Sequence, residues 1–184
     1  MRRRAQYQEE TRRRIIEAAL ALHRALGPAQ TSLSAVAEAA GVQRHTLYRH
    51  FPTPEALFRA CGERFAVTSR RPDPDRWSAL PPSPERSLTI LSELYDWYAR
   101  NQDAIGNALR DSELVPVGGG VRRMQQAAVE LLASASGKQR AVARMVVDFG
   151  GWRALTEDGR LAAHAAARLA LKLLDSATGL APER

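Results

Sequence analysis

The stretch Thr31 to Ala60, TSLSAVAEAAGVQRHTLYRHFPTPEALFRA, constrains this chain more than any other. Its spacing predicts a helix over Ser32 to Ala40, opened by Thr31 or Ser32, whose side-chain oxygen can accept from the free N–H groups of a first turn. Gly41 follows the last alanine, where a left-handed residue commonly ends a helix and glycine takes that conformation at little cost. A second helix is predicted from Arg44 to Phe51. Leu47 and Phe51, four apart, would face Val36, Ala37 and Ala40, and the two alanines permit a close crossing. Thr53-Pro54-Glu55 then restarts a helix: cap, proline in the first turn, acid near the positive helix end. This is the pattern of a helix-turn-helix, whose second helix enters the major groove of DNA.

A helix that reads DNA needs polar side chains at its exposed N-terminal end and an apolar rear face. Gln43, Arg44, His45 and Thr46 supply the first, and Leu47 and Phe51 the second. Arg44 has the donor fork for guanine O6/N7 and Gln43 the donor–acceptor pair for adenine. Arg49 and His50 lie on the flanks, within reach of the backbone. The plainer reading of Arg44 to His50 is a solvated basic helix, and the motif around it argues against that.

The pattern T-S-L-x-x-V-A-x-x-A-G-V-x-x-x-T-L-Y-x-H-F-x-x-x-E-A-L, Thr31 to Leu57, resembles the DNA-binding domain of the TetR family of bacterial transcription regulators. The resemblance is sharp over residues 11 to 62 and diffuse beyond. It implies an all-α fold of about nine helices: a three-helix N-terminal DNA-binding domain (1–53, with a basic arm at 1–10) and a C-terminal helical domain (54–184) that dimerises and binds a small molecule. It also implies that Tyr48 contacts phosphate and that Ser32 and Ser34 lie near DNA, although Ser34 reads equally well as an idle surface serine. The family usually has a lysine in the first turn of the fourth helix. Pro54 takes that place here, which leaves Thr53 and the N–H groups of that turn to meet a phosphate.

The charge is distributed to suit a polyanion. The net charge is +7, and residues 1–64 carry eleven Arg against six Glu. Residues 65–184 hold sixteen basic and fourteen acidic side chains. Single Cys61 rules out an intrachain disulfide and reads as a buried, inert thiol on the apolar side of its helix. MRRR has no apolar stretch behind it, so no signal peptide is expected, and no apolar run is long enough for a membrane span; a cytoplasmic protein is expected. No cofactor is implied. The four histidines show no metal-ligand spacing, and no nucleophile elbow or phosphate-binding glycine loop occurs, which argues against an enzyme.

Along the chain, Met1 to Glu10 reads as an unstructured arm or as a basic arm reaching phosphates or the minor groove. Thr11 to Leu26 is a helix with Ile15, Ala18, Ala19, Leu22 and Leu26 in one stripe. Pro54 to about Thr68 follows. Ser69 to Ser83, with prolines at 72, 74, 81 and 82, reads as an extended connector. Ser83 caps a helix running to about Asn101, with Leu88, Leu91, Tyr95 and Tyr98 in one stripe and Ile90, Leu94 and Trp97 in another. Asp103 caps a shorter one to Ser112. Val115 to Gly120 is a loop, and Val121 to Ala135 an amphipathic helix with Met124, Ala128, Leu131 and Leu132 inward. Two long helices close the chain, Lys138 to Thr156 and Gly159 to Thr178. They resemble the family's dimerisation pair, and close helix contact would offset the cost of Gly150-Gly151 within the first.

Family pockets lie among the fifth, seventh and eighth helices, so Tyr95, Tyr98, Met124, Met145, Phe149 and Trp152 are candidates by position; each also reads as plain core. Asp148 reads either as counter-charge to a cationic ligand or as a surface acid. The resulting expectation is a homodimeric repressor that binds a palindromic double-stranded DNA operator and is released by a small-molecule effector. Its rivals are an activator, a corepressor-dependent repressor, a small helical enzyme or ligand-sequestering protein that retains the motif, and a non-specific DNA-coating protein.

Overall fold

The computed structural model describes residues 2–133 and 137–177, and all its regular structure is helical. The helices are α1 (Arg2–Ala25), α2 (Leu33–Ala39), α3 (Arg44–His50), α4 (Pro54–Thr68), α5 (Pro74–Ser78), α6 (Pro84–Arg110), α7 (Gly119–Leu132), α8 (Gly137–Val147), α9 (Phe149–Arg153) and α10 (Ala163–Ser176). A 3-10 turn occupies Asp111–Glu113, and a π-helical turn Ala154–Asp158. The ends expected at Ala135 and Thr178 fall outside the described residues. No helix among those described is long and apolar enough to cross a membrane.

The chain forms two compact units. One contains residues up to Ser69 together with Gln102–Gly120; the other contains Arg70–Asn101 and the chain from Val121 onward. The sequence boundary at 53/54 follows the motif, whereas packing groups α4 with α1 to α3.

In the first unit, Ile15 and Ala19 of α1, Val36, Ala37 and Ala40 around α2, Leu47 and Phe51 of α3, and Leu57, Ala60 and Cys61 of α4 form one buried cluster. Cys61 is buried as expected, and desolvation pushes its thiol up to about 12, well away from a reactive thiolate. The α1 stripe ends at Leu22, because Leu26 is largely exposed at the helix end. Residues 2–10 correct the expected arm: they are helical and continuous with the rest of α1. Arg, Ala, Gln and Glu are good helix formers, Arg13 pairs with Glu10 at 2.7 Å, and Thr11 is an interior position whose hydroxyl donates to the Tyr7 carbonyl at 2.8 Å.

The second unit departs from expectation at three places. The proline-rich connector contains α5, started by Asp73, whose side chain accepts from Asp75 N at 3.0 Å, and by Pro74. Trp77 explains it: the ring is fully buried and its Nε1 donates to Glu93 Oε2 at 2.8 Å. The helices expected to part near Asn101 do so: α6 is two helical stretches that meet at a kink at that residue (φ −131°, ψ 20°), where Asn101 Nδ2 donates to the Trp97 carbonyl.

The single helix expected over Lys138 to Thr156 is divided. Asp148 is extended (ψ 144°) and its side chain accepts from Gly150 N at 2.8 Å, capping α9. At Gly151 a Cβ would stand 2.0 Å from the Met145 carbonyl oxygen. Gly151 therefore serves a backbone-to-backbone approach at the chain turn, while a Cβ at Gly150 would meet only the Asp148 carboxylate. The last helix begins at Ala163 because the π-turn, Gly159 and Arg160 at φ 53° intervene.

Candidate nucleic-acid interface

The helix-turn-helix is built from local signals that the structure realises. Ser32 Oγ accepts from Ala35 N at 3.1 Å, and Gly41 turns at φ 61° so that its own N–H and that of Val42 donate back to Glu38 and Ala37. The turn is also held from α1: the Arg14 guanidinium donates to the Ala40 and Gly41 carbonyls, the end of α2 where acceptors lack helical partners. Leu47 and Phe51 are fully buried, and the Arg12 guanidinium carbon lies 4.6 Å from the centre of the Phe51 ring.

With the rear face anchored, the opposite face of α3 is presented to solvent. Gln43, Arg44, His45, Tyr48 and Arg49 are exposed, and Thr46 and His50 half-buried. Arg44 Nη2 donates to Tyr48 Oη at 3.3 Å and its charge sits 5.7 Å from that ring, so the two side chains hold each other extended on one surface. Thr46 Oγ1 and His45 Nε2 are 3.3 Å apart. His50 is drawn toward the protein. Burial, then the charges of Arg49 and Arg12, lower its pKa, and its Nε2 is buried with no hydrogen-bond partner.

The flanking candidates are less alike. Ser32 and Ser34 are both exposed at the start of α2, with Ser32 engaged as the cap. Thr53 is exposed, but its Oγ1 accepts from Ala56 N at 3.3 Å, and the Glu55 carboxylate, lowered in pKa by a hydrogen bond to its own backbone N–H and then by Thr53, occupies the same first turn. The start of α4 is thus partly served by its own side chains.

Sequence reasoning missed a brace within this unit, because its partners are more than eighty residues apart. Asn107 Nδ2 donates to the His23 and Arg24 carbonyls, Arg110 Nη2 to Leu26, and Ala29 N to the buried Asp111 carboxylate at 2.9 Å. Arg110 pairs with Asp111 at 2.8 Å. These groups cap the end of α1 and the turn at Gly27 (φ 99°), where a Cβ would meet Arg110 at 2.1 Å.

In the second unit, five of the seven proposed ligand residues are buried: Tyr95, Tyr98, Met124, Phe149 and Trp152. Of these, Tyr98, Phe149 and Trp152 meet ring to ring, and Gln125, which the sequence did not single out, donates to Tyr98 Oη at 2.9 Å. Tyr95 and Tyr98 donate to the Val146 and Val147 carbonyls, and burial raises both phenols. Met145 is 53% exposed and Asp148 lies at the surface as the α9 cap, so neither is a buried wall of this cluster.

Residues 15–61 match the family model described as bacterial regulatory proteins, tetR family. No curated protein sequence matches the chain. Among solved structures, the chain is similar to a TetR-like transcriptional regulator from Rhodococcus sp. RHA1, with TM-score 0.68 and 20% identity over 92% of this chain and 97% of that one. It is also similar to NalD, the secondary repressor of the MexAB-OprM multidrug efflux pump in Pseudomonas aeruginosa, with TM-score 0.62 and 21% identity over 92% and 96%. A tetR-family regulator from Streptomyces coelicolor gives TM-score 0.59 and 21% identity over 92% and 79%. At these identities the likeness is one of fold.

Proposed function

Residues 15–61 are a TetR-family DNA-binding segment and the chain has the fold of TetR-type regulators; from that premise we propose that it is a sequence-specific, homodimeric repressor released from DNA by a small molecule. The observation that carries the reading is the division of α3 into a buried rear face, Leu47 with Phe51, and an exposed polar front headed by Gln43 and Arg44. Arg44 and Gln43 read base edges, and Tyr48, Arg49, His50, Ser32, Ser34 and Thr53 meet the backbone. Arg3 and Arg4 stand exposed at the positive end of the α1 dipole, where their charges gain nothing from the helix and suit a phosphate.

Two copies related by a two-fold axis present their recognition helices about 34–36 Å apart, matching successive major grooves of a palindrome. The exposed Met145 of α8 and Leu169 and Leu173 of α10 suit a helical dimer face. An effector in the second unit favours a conformer with the wrong spacing, so effector and operator oppose each other reciprocally. Repression is what NalD, a protein of this fold, is described as doing. The cytoplasm is the compartment where such a protein meets its operator.

The test is selection of bound sequences from a random duplex library at about 150 mM salt, which suppresses the non-specific electrostatic term. The reading expects a palindrome for the native chain and relaxed base preference at one position per half-site for Arg44→Ala. A folded dimer that recovers no consensus, or an Arg44→Ala chain that loses affinity evenly across all sequences, would refute it.

A further inference from the structure

Three rings meet in the second unit. The Tyr98 and Phe149 centroids are 5.2 Å apart, Tyr98 and Trp152 5.6 Å, and Phe149 and Trp152 5.1 Å. The polar atoms at this cluster are not equally served. Tyr98 Oη donates to the Val147 carbonyl at 2.8 Å and accepts from Gln125. The Trp152 indole is only 2% exposed, and its Nε1 is buried with no hydrogen-bond partner. Nine in ten buried polar groups are paired, and an orphaned donor is costly, so this one requires an explanation. Trp77, equally buried in the same unit, shows how a structural indole is satisfied, by a carboxylate at 2.8 Å.

The backbone around Trp152 is irregular on both sides. Helix α8 stops at Val147, Asp148 caps a five-residue α9, and the π-turn follows at once. Such turns recur where a side chain is placed for function. The surroundings also define what would suit the donor. The walls are aromatic and buried, which disfavours a charged ligand.

We propose that the Trp152 indole N–H is the hydrogen-bond donor of the effector site, and that the effector is a flat, uncharged aromatic molecule carrying a neutral acceptor oxygen such as a carbonyl. The inference rests on the reading that the second unit binds an effector. The aromatic surroundings suit a flat apolar body, and the acceptor completes the unpaired donor of the cluster.

The test uses two probes of nearly the same shape, 2-acetylnaphthalene and 2-isopropylnaphthalene, which differ in the acceptor oxygen. Dissociation constants are measured by titration calorimetry on the full chain and on Trp152→Phe. The ratio of the two constants reports the hydrogen bond, because the loss of ring size affects both probes alike. It should move about three- to tenfold against the ketone in Trp152→Phe. A second readout needs no variant: in the native chain the backbone-assigned Trp152 indole ¹⁵N–¹H signal should move downfield with the ketone and stay in place with the hydrocarbon. An unchanged ratio, or an indole signal that ignores the ketone, overturns the inference and leaves the effector reading standing. If neither probe binds, the proposed ligand class is wrong and the inference falls with it. The effector reading fails separately, if no small molecule in a screen releases the chain from its selected operator.

Discussion

His23 makes the stability of the first unit depend on pH, with a sign and window the structure specifies. It lies in the last turn of α1, its ring 5.7 Å from Phe58, and burial lowers its pKa from 6.5 to about 4 although the Asp111 carboxylate pulls the other way. The folded chain refuses a proton that the unfolded chain accepts. The contribution is therefore complete above 6.5, is lost as pH falls toward about 4, and does not change further below that. At about 1.36 kcal/mol per pH unit the ceiling is about 3.4 kcal/mol, and solvent at the half-buried ring reduces it to about 1–2 kcal/mol. The assay is urea unfolding of the native chain and of His23→Gln between about pH 7.5 and about pH 4.5. Glutamine carries no titrating proton, and His50, also lowered, is common to both chains and cancels in the difference. The native chain should lose about 1–2 kcal/mol more than the variant over that interval. A difference independent of pH would refute the reasoning.

Two glycines predict opposite outcomes. Gly62, inside α4 with nothing within 4 Å of an added Cβ, should gain about 0.5–1 kcal/mol on replacement by alanine, read as a rise in Tm. Gly151→Ala would force a methyl onto the Met145 carbonyl and should cost about 3 kcal/mol by urea titration. Ser32→Ala and Thr53→Ala each remove an observed helix cap and should each cost about 1 kcal/mol in the same assay. Tyr98→Phe removes the donor to Val147 and strands Gln125, for about 1–3 kcal/mol with the ring packing unchanged; a smaller loss would mean that water replaces both bonds.

The helix-turn-helix segment was legible because its signals are short-range. Ser32, Gly41, Thr53 and Pro54 each act on a backbone within four residues, and Leu47 and Phe51 name their own rear face by spacing alone. Each did in the structure what its chemistry requires. Other local signals were present and outweighed: Asp73-Pro74 started a helix in a stretch dominated by proline, and Asp148 capped Gly150 within an apolar periodicity that ran on through the break. The composition of residues 2–10 favours helix as readily as arm, and length of favourable helix decided it.

What no local pattern carries is the partner of a side chain far along the chain. Asp111 reaches Ala29 across 82 residues, Asn107 reaches His23 across 84, and Tyr98 reaches Val147 across 49. The need for a partner is written in each residue, since a buried carboxylate or phenol must be paired. Which atom answers depends on where two distant helix ends arrive, and that is fixed by packing a core in three dimensions. The sequence by itself therefore determined the helix-turn-helix, with its buried rear and exposed polar front, and the basic charge around it. Only the tertiary structure decided the brace on α1, the turn forced by Gly151, and the indole left without a partner.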